Sequence, residues 1–305
     1  MNLRTIAFLI LLAGGFVLVY ALTKAEIRLP FESTLAPAFQ ILGKPIKRVD
    51  RALTRVLPID EVDEARYGEA IALRYESFNG GTEADQAYVQ SLIETVAAGT
   101  QKGFRYRAFI LETTSPNAFA LPGGVVVVTS GLLETLKSES ELVAVLAHEV
   151  GHVELSHCID AVRLEIAAKK IGAAPLGEIA DLAMNLMLRH SYSKTQENEA
   201  DEYAWAYIKS SSYAPTGLGR SFRRLRTYYD PNRNDNETQR APHPVSEYFQ
   251  SHPHLEFRED KYLERAKAWR KAHPDEERCV GTALLVARTP LNTVTHDPSQ
   301  WSIED

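Results

Sequence analysis

A mostly helical α+β domain with a small β-sheet, preceded by an N-terminal membrane-spanning helix, is the architecture this sequence predicts. Three observations carry it. Residues 5–22 form an almost unbroken apolar run. Beyond residue 60 the apolar residues recur mainly at helical spacing. Among them stand two short stretches, 104–111 and 125–129, with the alternation or β-branching of strands. The composition agrees: 305 residues with 45% hydrophobic and 24% charged side chains can bury a core of ordinary size. A net charge of -6 gives no field suited to holding nucleic acid, and that class of function is excluded.

The elements follow in chain order. About 18 apolar residues are near the minimum for crossing a bilayer and exceed the usual apolar core of a signal peptide. Arg4 precedes the run, and Lys24, Glu26 and Arg28 follow it, which favours the N-terminus inside. The expectation is a signal anchor over residues 1–25, giving a single-pass protein of a bacterial inner membrane with its main domain on the periplasmic side. A secreted or periplasmic domain released by cleavage near Ala21 or Ala25, and a buried core helix, are the alternatives. Residues 26–60 read as a membrane-proximal linker punctuated by Pro30, Pro37, Pro45 and Pro58. Within it Lys44, Lys47, Arg48, Arg51 and Arg55 alternate with apolar residues, as in a helix packed on the main domain with a solvated basic face. A basic helix on the membrane surface is the other reading.

The main domain is expected over 61–275. The pattern of 61–100 is helical, with Ala84, Tyr88, Leu92 and Val96 on one face. A strand over 104–111 is broken at Ser115-Pro116-Asn117, and residues 121–124 (Leu-Pro-Gly-Gly) form a turn before the strand 125–129. A short helix covers 131–136. Ser138 and Glu141 have the spacing of a capping box and open a helix over 139–157. Helices follow over 161–189, interrupted near Pro175 and Gly177, and over 195–210, where Ser193 and Gln196 repeat the capping pattern. The polar, Asn-rich stretch 231–244 is expected to move, as a lid or a site of self-cleavage. A helix over 259–271 and a tail over 276–305 complete the chain. Cys158 and Cys279 are too few for a disulfide scaffold, and buried thiols are expected over a pair.

The chemistry concentrates at His148-Glu149-Val150-Gly151-His152. Histidines four apart share a helix face, so two imidazoles can reach one zinc at about 2.0–2.1 Å. Glu149, turned about one hundred degrees away, stands beside the metal, where it can act as a base on water whose pKa zinc lowers to about 7. Leu142, Val143, Val145, Leu146, Val150 and Val153 make this a buried helix, in which bare histidines need partners. Gly151 costs about 1 kcal/mol of helix propensity against Ala and points to a packing or access reason. A catalytic zinc needs a third protein ligand. Glu197 and Asp201, four apart, share a face; Glu199 lies on another face and competes as ligand, and spacing does not choose between Glu197 and Glu199. With Glu197 on the metal, Asp201 is placed to accept a hydrogen bond from a ligand histidine.

Several blocks now occur in order: residues 117–124 (N-A-F-A-L-P-G-G), 129–133 (T-S-G-L-L), H-E-V-G-H with His157 beyond it, Glu197-x-x-x-Asp201, and Ser251-His252-Pro253 with Arg258. Over about 61–271 the chain resembles the M48 metallopeptidases, in their single-anchor, soluble-domain branch. The resemblance implies a zincin-like (gluzincin) domain, one zinc per chain on His148, His152 and Glu197, and Asp201 behind them. Lys194 stands near a point where the family often has an Arg. The resemblance also makes Asn117 and the strand with Val125, Val126 and Val127 the substrate side of the cleft, gripping a peptide as an added strand if that strand lies at the sheet edge. His252 is the candidate for stabilising an oxyanion, or for holding the site closed before substrate arrives, with His243 and His254 as competitors. His157 reads as a satisfied structural histidine.

The activity implied is a zinc endopeptidase acting on unfolded or damaged proteins at the membrane or envelope, with Glu149 as base. The reading from another class is a membrane-anchored, zinc-containing chaperone or binding module without hydrolysis. The intact Glu149 speaks against it.

Overall fold

The computed structural model describes residues 59–76, 80–171, 175–187, 191–229, 252 and 255–294. All belong to one unit, Leu57–Asp305. The expected anchor and linker up to residue 58, the 231–244 loop, His243, Ser251, Pro253, His254 and the tail beyond 294 lie outside the described residues. Among the described residues, no helix is long and apolar enough to cross a membrane.

The domain is mostly helical with a three-stranded sheet. Helices α1 (Glu61–Glu76) and α2 (Glu83–Ala97) account for the first helical pattern. Thr82 caps α2 reciprocally: its hydroxyl accepts the Asp85 N–H at 3.1 Å, and the Asp85 carboxylate accepts the Thr82 N–H at 3.2 Å. The sheet contains β1 (Arg107–Leu111), β2 (Ala118–Leu121) and β3 (Val125–Thr129). Its order is β1-β3-β2, with β1 parallel and β2 antiparallel to β3. The β2–β3 turn runs through Gly123 and Gly124 at φ +78° and +88°, a region that favours glycine. A Cβ on Gly123 would lie 2.4 Å from the Glu64 carbonyl oxygen, so α1 packs directly on this turn. β2 escapes the sequence pattern because all four of its residues are buried and none alternates.

After α3 (Ser130–Thr135) comes α4 (Glu139–Glu154), which carries the H-E-x-x-H residues. Every residue from Glu139 to Val153 is buried, and α4 is the central helix of the domain. Each buried Leu or Val along it contributes about 1.5–3 kcal/mol relative to exposure. Gly151 lets α4 approach its neighbour: a Cβ there would meet Tyr203 Cβ at 3.0 Å.

The start of α4 departs from expectation. The Ser138 hydroxyl accepts the Glu141 N–H at 3.3 Å, but the Glu141 carboxylate accepts the Lys137 N–H, so only half of the capping box forms. The free N–H groups of Glu139 and Ser140 are given instead to the carbonyls of Gly281 and Val280, both at 3.1 Å. Residues read as tail thus pack on the domain. They include α10 (Thr282–Ala287) and a 3-10 turn, Leu291–Thr293. The wholly buried Glu139 carboxylate joins these parts by accepting hydrogen bonds from Tyr88, Tyr213 and the Leu291 N–H.

Helix α4 also ends sooner than the expected residue 157. Ser156 takes φ +64°, and α5 (His157–Ile171) starts afresh with His157. Then come α6 (Leu176–Met187) and α7 (Lys194–Ser210), the latter with both halves of the Ser193/Gln196 capping box present. Helix α8 (Thr216–Tyr229) lies in a stretch to which the sequence analysis assigns no element. Its buried Leu218, Phe222, Leu225 and Tyr229 recur at helical spacing. Helix α9 is Leu255–Ala272. Cys158 and Cys279 are free and buried, as expected.

Candidate metal centre

Helix α4 presents His148 and His152 on one face, with their Nε2 atoms 3.1 Å apart. Helix α7 lies alongside and brings Glu197, with Oε1 3.5 Å from His152 Nε2 and Oε2 3.7 Å from His148 Nε2. Tetrahedral ligands at about 2.0–2.1 Å from zinc stand about 3.3–3.4 Å from one another, so these separations fit one ion. The donor set fits as well: two imidazoles and a carboxylate, all nearly inaccessible to water, bring ligand atoms within 4.8 Å of one another. Glu199 stays exposed and turns to His157 at 3.2 Å; Glu197 is the carboxylate that reaches the histidine pair.

Behind the histidine pair, Asp201 Oδ1 stands 3.0 Å from His148 Nδ1, the relation a carboxylate would have in fixing the tautomer of a metal-binding histidine. Arg258 of α9 ties the arrangement together. It is 7% exposed and donates to both Asp201 oxygens at 2.9 and 2.6 Å, while its Nη1 lies 2.6 Å from Glu197 Oε2. Its guanidinium also stacks over Phe222, 4.3 Å from the ring centre. Sequence reasoning gave Arg258 no role. The expected helix over 259–271 left Arg258 just outside, whereas the observed helix begins at Leu255 and carries it in its first turn. Tyr192 was missed too; its ring stacks on His152 at 3.8 Å between centroids.

His252 completes the cluster. It is wholly buried, with Nδ1 2.9 Å from Glu197 Oε1 and 3.3 Å from His148 Nε2, and Nε2 3.6 Å from Glu149 Oε1. A ligand atom of His252 therefore lies within 4.8 Å of one from each of the other three residues.

Electrostatics follow burial and partners. Burial raises the Glu149 carboxyl above its usual range, against the pull of His252 and His148. Burial would also raise Glu197 and Asp201, but His252 and Arg258 hold Glu197 well below the carboxylate range, and Arg258 with His148 holds Asp201 low. Burial drives His152 well below its ordinary value. Burial would lower His252 too, but Glu197 and Glu149 outweigh it and raise its pKa.

The sheet edge beside this centre differs from expectation. β3 is the middle strand, and its backbone is paired with β1 on one side and β2 on the other. Val125, Val126 and Val127 therefore have no free edge to offer a peptide and belong to the core. Among the described residues, the edge strand on the α4 side is β2. The Thr129 N–H donates to the Asn117 carbonyl at 2.9 Å, which makes Asn117–Thr129 a hydrogen-bonded pair. Alternation along the antiparallel ladder then turns the backbone groups of Ala118 and Ala120 outward. The Ala120 N–H faces the Glu149 carboxyl and offsets part of its raised pKa. Asn117 opens this edge, and its buried Oδ1 has no hydrogen-bond partner among the described residues.

A central helix with H-E-x-x-H and a glutamate from a later helix define the metal-dependent peptidase class. The chain matches the profile of peptidase family M48 over residues 83–266 and belongs to that family. It is 32% identical over 120 residues to the metalloprotease LoiP of Escherichia coli (strain K12), covering 36% of this chain and 47% of the relative. It is 28% identical over 145 residues to the mitochondrial metalloendopeptidase OMA1 of Schizosaccharomyces pombe, covering 45% and 43%. The beta-barrel assembly-enhancing protease of Escherichia coli is 26% identical over 151 residues, covering 43% and 30%. The chain thus spans less than half the length of these relatives.

Proposed function

We propose that this chain is a zinc-dependent endopeptidase, held at the membrane by its N-terminal segment and acting on unfolded or damaged envelope proteins. The observation that carries the activity is Glu149: a buried carboxyl beside the His148–His152–Glu197 cluster, facing the edge strand β2. His148, His152 and Glu197 would hold one zinc, which supplies a water of lowered pKa and an electrophilic pull on a scissile carbonyl. Glu149 takes the proton of the attacking water and delivers it to the leaving amine. A carboxyl raised by burial is a stronger base than an ordinary exposed carboxylate, which suits it to take the proton of the attacking water. The substrate lies as an added strand along β2, bonded to the outward backbone groups of Ala118 and the Ala120 carbonyl, with Asn117 at the edge's start. This moves the substrate side from β3 to β2. A relative named for enhancing β-barrel assembly supports work on envelope proteins.

For His252, the distances favour the second of its two expected roles, holding the site closed. Its Nδ1 stands among the ligand atoms, where water and the scissile group must enter. The test is casein cleavage by the full chain in detergent with one equivalent of zinc, beside His252→Ala. Cleavage that a chelator abolishes and zinc restores, enhanced several-fold in His252→Ala, is expected. Slower cleavage in the variant would assign His252 to the oxyanion instead. Zinc binding without cleavage in either protein would favour the binding-module reading.

A further inference from the structure

The two histidines of α4 are not held in the same way. His148 Nδ1 meets the Asp201 carboxylate directly, at 3.0 Å. Among the described residues, His152 Nδ1 meets no carboxylate; it lies 3.0 Å from Nδ1 of His157, whose Nε2 lies 3.2 Å from Glu199 Oε2. Only one assignment of protons satisfies this chain with the Nε2 of His152 left free to bind a metal. His152 donates its Nδ1–H to the bare Nδ1 of His157, and His157 donates its Nε2–H to the Glu199 carboxylate.

The contact depends on a backbone feature. If α4 ran on through residue 157, five steps of one hundred degrees would turn His157 about 140° around the helix from His152. The break at Leu155–Ser156, with Ser156 in the left-handed region at φ +64°, brings His157 back against His152. Ser156 follows the C-cap Leu155, where a left-handed residue commonly ends a helix, and its N–H donates to the Val153 carbonyl at 3.0 Å. Glu197, Glu199 and Asp201 come from the same helix, so α7 supplies a ligand and both supporting carboxylates.

We propose that His157 and Glu199 are positioning residues, forming a carboxylate–imidazole relay that fixes the tautomer and orientation of His152 as a metal ligand. The proposal rests on the zinc reading above. It replaces the expectation that His157 is merely structural, and it gives Glu199 a role other than ligand. Unlike the buried Asp201, Glu199 is exposed, so the relay ends at solvent and its last member can be changed without disturbing the core.

The experiment uses the full chain in detergent. Zinc affinity is measured by chelator competition for wild type, Glu199→Gln, His157→Phe and His152→Ala. The ring nitrogens of ¹⁵N-histidine-labelled, zinc-loaded protein are read by NMR. Supporting partners of ligand histidines change affinity about 10–100-fold, so His157→Phe is expected in that range and Glu199→Gln at about 3–10-fold. Glu199→Gln is expected to leave the melting temperature of the metal-free protein unchanged. The His152 Nδ1–H resonance is expected to shift and exchange faster in both variants. Affinity within twofold of wild type in Glu199→Gln, or a fall in affinity with an unaltered His152 resonance, would overturn the relay. Zinc binding that survives His152→Ala would overturn the metal site itself, and the relay with it.

Discussion

Arg258 makes the most quantitative prediction. Its guanidinium is the buried counter-charge to two buried carboxylates, bidentate to Asp201 and 2.6 Å from Glu197. Replacing it by the similarly long, uncharged Met leaves both carboxylates without that partner. Breaking a buried pair from one side costs about 3–5 kcal/mol. For a domain of this size, 1 kcal/mol shifts the melting temperature by about 2–4 °C, so Arg258→Met should lower it by about 6–20 °C in the metal-free protein. Zinc returns a positive charge to Glu197, and the deficit should shrink when the protein is loaded. The sign with pH follows from the depressed carboxyls. Stability from Glu197 and Asp201 is present above their unfolded values near 4 and lost as pH falls through their lower folded values. The gap between wild type and variant should therefore be widest near neutral pH and close in acid. Thermal unfolding with chelator, with zinc, and from pH 3 to 7 measures this. A metal-free melting temperature within about 2 °C of wild type at pH 7 would refute the electrostatic reasoning.

Three further outcomes are expected. Burial pushes the Cys158 thiol up, and that of Cys279 to about 12; a thiol reagent at pH 8 should label neither in the native protein and both after unfolding. Burial raises the Glu139 carboxyl, despite hydrogen bonds from Tyr213 and Leu291, so its native state favours the proton and its contribution is lost as pH rises from the unfolded value through the folded one; Glu139→Gln should gain stability relative to wild type as pH goes from 4 to 7 in thermal melts. Ser193 caps the helix that carries Glu197, and Ser193→Ala should lower stability by about 1 kcal/mol in denaturant unfolding.

The centre was legible where chemistry is local. His148, Glu149 and His152 follow from one helical turn, and Asp201 follows from its four-residue offset to Glu197. The choice between Glu197 and Glu199 was not local: it depends on which side of α7 faces α4, and that depends on packing that includes the close approach at Gly151. Helices with one apolar face were read within a few residues, but α8 was hidden by glycines that serve packing. A Cβ on Gly217 would lie 2.4 Å from the Ser140 carbonyl oxygen, and one on Gly219 2.7 Å from Leu263. Strand order was beyond reach, because four valines look alike at an edge or in the middle; this displaced the substrate side onto β3. The turn at Ser156 was equally silent, since an isolated left-handed serine carries no pattern, and the link from His152 to His157 was lost with it.

The most direct test of the account is the full chain against Glu149→Gln, both carrying one equivalent of zinc, assayed for cleavage of an unfolded protein. The account predicts that the variant keeps its zinc and its fold but loses cleavage by several orders of magnitude, because the ligands remain and only the proton carrier is gone. Cleavage within a few-fold of wild type would contradict it and remove Glu149 from the chemistry.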